Sequence, residues 1–156
     1  MMESCCSNRL MGLERRGKMD NRVQLTLIGR QRDPSGNETV TELSANAEFY
    51  ERNGSLYILY EEKSEDGSLT KNVIKHKNNL LELTKKGAVN TCMVFEPGRE
   101  YITDYATPFG LLRLGLLTAS VKSQHQKDYL EITADYTLTE QERVVSYCNI
   151  YIKIQL

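Results

Sequence analysis

Apolar and polar residues take turns along most of this chain. Val23, Leu25 and Leu27 alternate with Gln24 and Thr26, and Leu130, Ile132, Ala134, Tyr136 and Leu138 alternate with Tyr129, Glu131, Thr133, Asp135 and Thr137. A period of two belongs to a strand, because successive side chains point to opposite faces. The pattern predicts strands over Arg22–Arg30, Glu38–Glu51, Leu56–Glu62, Leu69–His76, Leu80–Thr84 and Ala88–Phe95. It predicts four more: one carrying Tyr101, Thr103 and Tyr105, a leucine-rich one up to Thr118, Tyr129–Leu138, and Glu142–Leu156. In the last, Val144, Ser146, Cys148, Ile150, Ile152 and Ile154 share a face, and Val121–Asp128 reads as a polar connection.

Turn chemistry separates these runs. Asn53-Gly54 suits the positive φ values of a type I′ hairpin turn, and Asp33–Asn37, Glu65–Ser68, Lys77–Asn79, Lys85–Gly87 and Glu96–Gly98 are further turn clusters. Thr107-Pro108-Phe109-Gly110 joins the tyrosine strand to the leucine strand. If Thr107 pairs with Gly110, then Asp104 faces Arg113, Tyr105 faces Leu112, Thr103 faces Leu114 and Tyr101 faces Leu116. The competing register has a bulge at Gly110 and sets Arg113 opposite Tyr105. The first is preferred because it joins opposite charges on one face and tyrosines with leucines on the other, the interior one.

About ten short strands, spaced by turns and with no room for a long helix, predict an all-β protein. Consecutive hairpins without a long return connection favour an antiparallel up-and-down barrel of about eight to ten strands over a Greek-key sandwich. A barrel also removes the sheet edges that so many strands would expose.

At 156 residues with a formal net charge of -1, the chain fits one domain and nothing draws it to nucleic acid or an anionic membrane. It has neither a run long enough for a membrane helix nor an apolar export segment, so a cytoplasmic location is expected. Met1–Lys18 lacks strand alternation and carries a net charge of +2, and Glu14–Met19 is what a purine-rich ribosome-binding site would give if translated. Residues 1–18 therefore read as a disordered leader that is not native, with Met19 the start of a single barrel domain over 19–156.

Gly54–Glu62, Lys86-Gly87 followed by Met93–Gly98, and Tyr105 through Thr107, Phe109 and Gly110 into Leu112 and Leu114 resemble, in order and spacing, the YwiB-like bacterial family of unknown function. The resemblance covers nearly the whole chain after the leader. It implies a lipocalin-like, calycin-type β-barrel and brings no activity, substrate or catalytic residue with it.

Candidate chemistry is sparse. His76 lies between Lys75 and Lys77, and His125 between two glutamines, so both read as solvated turn histidines with no partners at metal spacing. Cys92 and Cys148 read as small buried hydrophobes. Glu61 and Glu62 alternate sides of one strand, cannot converge as a catalytic pair, and read as edge charges. No catalytic residue, metal site or cofactor is assigned.

The remaining candidate is the barrel interior. Arg99, Tyr101, Thr103 and Tyr105 are expected on one face of a strand, with Tyr136 on the same interior wall. Together they would hold a small amphipathic ligand inside or at one mouth. The alternative is a filled barrel that acts through a protein partner on its outer face, where Tyr129, Tyr147 and Tyr151 would be exposed. An enzyme using the cavity is the third reading, and whether the protein forms a homodimer is left open.

Overall fold

The computed structural model describes residues 21–88, 90–107 and 110–156, with the backbone alone for 105–107. The boundary expected at Lys18 lies outside them. Ten strands follow one another: β1 (Arg22–Arg32), β2 (Glu38–Arg52), β3 (Ser55–Lys63), β4 (Leu69–Lys77), β5 (Leu80–Gly87), β6 (Thr91–Phe95), β7 (Glu100–Thr107), β8 (Gly110–His125), β9 (Tyr129–Glu140) and β10 (Arg143–Gln155). All neighbouring pairs are antiparallel.

The sheet order is β6-β5-β4-β3-β2-β1-β10-β9-β8-β7, so every strand sits beside its neighbour in sequence and β10 returns to β1. That return runs from Gln24↔Gln155 to Arg32↔Tyr147. The result is an up-and-down barrel whose seam lies between β6 and β7, not between the first and last strands. Among the described residues no ladder crosses the seam. Thr103 Oγ1 donates to the Cys92 carbonyl at 2.7 Å. Beside it, the Glu96–Arg99 turn is tied to β8 by Gly98 N–H to the Thr118 carbonyl at 2.9 Å.

The inward face holds the core. Leu25, Ile58, Ile74, Leu81, Phe95, Leu116, Leu130, Ile132, Ile152 and Ile154 are each less than 2 % exposed. The β7–β8 register is the charge-matched one, with Asp104↔Arg113, Tyr105↔Leu112, Thr103↔Leu114 and Tyr101↔Leu116. Arg113 Nε donates to Asp104 Oδ1 at 3.0 Å on the outer face. At the Asn53-Gly54 turn, φ is 52° and 79°, the positive pair expected of type I′.

Two β-bulges depart from the plain alternation. The β8–β9 register slips between Thr118 and Ser120, so Ala119 is the extra residue and Val121 regains the inward phase opposite Ala134. Val121–His125 is therefore strand and not a connection. A second slip between Val144 and Ser146 sets Val144 opposite Thr139, which takes it off the inward face shared by Ser146, Cys148 and the isoleucines. The β9–β10 turn is Gln141-Glu142, with φ of 50° and 67°. Neither residue is a usual turn former, so Glu142 belongs to the turn and the strand starts at Arg143.

His76 is not a solvated turn histidine: it points inward and is only 6 % exposed. Cys148 is a free, buried thiol whose pKa is pushed up by burial. Cys92 is buried too, as expected of both, and is disulfide-bonded.

Candidate functional site

Inward positions on β3, β4 and β5 change character along the barrel. On β3, Leu56 and Ile58 give way to Tyr60 and Glu62. On β4, His76 and Ile74 give way to Asn72 and Thr70, and on β5 Leu81 and Leu83 give way to Lys85. The ladders put these changes side by side, with Tyr60↔Asn72, Asn72↔Lys85 and Lys85↔Thr91 in one row and Glu62↔Thr70 in the next. One end of the lumen is therefore apolar and the other polar.

The polar end is knitted together. Lys85 Nζ donates to Glu62 Oε1 at 2.6 Å and to Asn72 Oδ1 at 2.8 Å, and Asn72 Nδ2 donates to the Thr70 carbonyl at 3.2 Å. Lys85 and Glu62 keep roughly a third of their side chains exposed, at 32 % and 36 %. Glu62 is thus an inward ion-pair partner and not an edge charge, while Glu61 lies on the opposite face across from Lys71.

The barrel wall is cut beside this cluster. The β2–β3 ladder runs from Arg52↔Ser55 only to Glu48↔Leu59, although β2 stays paired with β1 down to Glu38. Over Ser44–Ala47, β2 carries only small side chains, which offer a neighbouring strand little to pack against. A cleft of about 610 Å³ occupies the gap. Ala45, Tyr60 and Asn72 line it from inward positions, and Asn46, Glu48, Leu59, Glu61, Lys71 and Val73 from outward ones.

Tyr60 stands out among the lining residues. It is 6 % exposed, yet its hydroxyl has no hydrogen-bond partner among the described residues. Burial, and after it the nearby Glu62 carboxylate, pushes its phenol pKa well above the ordinary range.

The residues picked from the sequence do not converge on this cleft. Arg99 is in the β6–β7 turn and not on the strand face, with its side chain 69 % exposed and 3.7 Å from Glu96 Oε2. The Tyr101 hydroxyl donates to Glu96 Oε1 at 2.6 Å, which raises its pKa. Thr103 is buried at the seam. Tyr136 packs edge-on against Phe95, ring centroids 4.8 Å apart. The Tyr105 side chain lies outside the described atoms. His125 is exposed and meets Phe49 edge-on at 6.5 Å. Among the described residues no three His, Cys, Asp or Glu side chains gather as a metal site.

The signal for the cleft residues was present but faint. Polar residues replace apolar ones in the same inward phase on three consecutive strands, and only the strand register shows that they are neighbours.

A family model described as a domain of unknown function, DUF1934, matches residues 25–152. The uncharacterised β-barrel protein YwiB of Bacillus subtilis strain 168 is 26 % identical over 115 residues, covering 72 % of this chain and 80 % of the relative. The crystal structure of the ywiB protein from Bacillus subtilis superposes with a TM-score of 0.75 at 23 % identity, over 86 % of this chain and 91 % of that one. The same barrel therefore exists in a solved structure, and the chain belongs to the DUF1934 family, a YwiB-like group of β-barrel proteins of unknown function.

Proposed function

We propose that this protein binds a small amphipathic molecule, without turning it over, in the cleft where β2 leaves β3. The observation that carries the reading is the cleft itself. Its volume of about 610 Å³ falls in the range of small-molecule sites, and its lining joins apolar Ala45, Leu59 and Val73 to the polar Tyr60 and Asn72. The lipocalin-like character implied by the family resemblance supports it only as a fold-level analogy. Binding is favoured over catalysis because the ionisable groups are matched in pairs, Lys85 with Glu62 and Lys71 across from Glu61.

Native mass spectrometry of the purified protein tests this. A bound small molecule that is released on denaturation is expected, either co-purified or taken up from a mixture of amphiphiles. Protein that stays unliganded in both conditions ends the reading.

A barrel acting through its outer wall has support of its own. Ile102, Leu117 and Tyr147 are 47 %, 44 % and 45 % exposed on the outer face of β7, β8 and β10. A protein partner there would show as a complex or dimer by light scattering.

A further inference from the structure

The head group that suits the cleft can be argued from its hydrogen-bonding groups and its charge, given that the cleft is a ligand site as proposed above. An ammonium has three N–H groups. Lys85 commits two, to Glu62 and to Asn72. The Asn72 amide commits one N–H to the Thr70 carbonyl and has a second. Tyr60 is 6 % exposed as a residue and lines the cleft, and its hydroxyl has no partner among the described residues. Three donors on adjacent strands thus remain for one incoming acceptor, and Glu62 Oε2 can accept a proton in return.

Charge narrows the choice. Lys85 and Glu62 cancel, and at the mouth Lys71 stands across from Glu61 and Arg22 across from Glu48, so the charges around the site balance. A carboxylate or phosphate head would come to rest beside the Glu62 carboxylate and compete with it for Lys85. An ammonium head would crowd Lys85 and leave the Tyr60, Asn72 and Lys85 donors without an acceptor. Each charged head would also lose hydration that a neutral cluster does not replace.

We infer that the cleft takes an uncharged amphiphile, an aliphatic alcohol or primary amide, with its head against Tyr60, Asn72 and Lys85 and its chain along Ala45, Leu59 and Val73. The head accepts from the tyrosine hydroxyl and the ammonium and donates its own proton to Glu62. This differs from an acid-binding site built around an arginine, since Arg99 is in a solvent-exposed turn.

Octanol, octanoate and octylammonium, titrated into the isotope-labelled full chain at neutral pH and followed by amide chemical shifts, test it. Octanol should perturb Ala45, Leu59 and Val73 and bind at least ~10-fold tighter than either ion. Tyr60→Phe, which keeps the ring, should weaken octanol by roughly 3- to 10-fold and leave octylammonium unchanged. Octanoate or octylammonium binding as tightly as octanol, or Tyr60→Phe without effect, overturns the inference while leaving a cleft that binds. If none of the three moves the cleft signals, the ligand-site reading itself fails.

Discussion

His76 faces inward between Leu56 on β3 and Leu81 on β5, and its Nε2 has no hydrogen-bond partner among the described residues. Burial lowers its pKa from the ordinary 6.5, and a hydrogen bond with the Asn78 backbone opposes the shift without cancelling it. The folded protein therefore holds a neutral imidazole where the unfolded chain takes up a proton first. Between the ordinary pKa and the lowered one, the unfolded state binds more protons, so stability falls as pH drops below about 6.5 and levels off under the folded pKa. Denaturant midpoints measured across that window should show the fall, and His76→Leu should flatten it by removing the titrating group. An equal slope in the variant would assign the acid sensitivity elsewhere. The inward phase of Asn72, Ile74 and His76 was legible in the alternation. The lysines on either side suggested solvent, and they do reach it, from the opposite face of the strand.

Element boundaries follow turn chemistry wherever it is explicit. Asn53-Gly54 was legible because few other pairs adopt two positive φ values cheaply, and the β7–β8 register was legible because a slip by one residue breaks both the charge match and the leucine match. Gln141-Glu142 carried no such signal. Both residues adopt the left-handed conformation, which costs a side-chain-bearing residue roughly 1 kcal/mol or more each. Replacing the pair with Asn-Gly should relieve part of that strain and raise stability by about 1 kcal/mol, read as a higher urea midpoint with an unchanged slope. No gain, or a changed slope, would mean that the turn is not strained in solution. The bulges at Ala119 and Val145 were equally silent, because an inserted residue shows only as a phase change between two runs that each alternate normally. The cleft was hidden for a related reason: where β2 parts from β3 depends on which neighbour packs better against Ser44–Ala47, and alternation within one strand does not record it.

At the scale of the whole barrel, nine of the ten junctions between neighbouring strands are ladders. The tenth, between β6 and β7, relies on the Thr103 hydroxyl at the Cys92 carbonyl and on the turn held to β8. A cylinder so built should open first at its seam, since local opening follows the least hydrogen-bonded boundary. Thr103→Val keeps the shape and removes the hydroxyl donor, at a cost of about 1 kcal/mol. Spread over the whole fold, that cost would lower amide protection evenly. Confined to the seam, it should raise exchange about fivefold in β6 and β7 while β1, β9 and β10 keep the rates of the parent protein. The β1–β10 junction is the control, because it joins the first and last of the described strands through a continuous ladder from Gln24↔Gln155 to Arg32↔Tyr147. Faster exchange there, in step with β6 and β7, would show that the barrel opens as one unit and that its seam is no weaker than its walls.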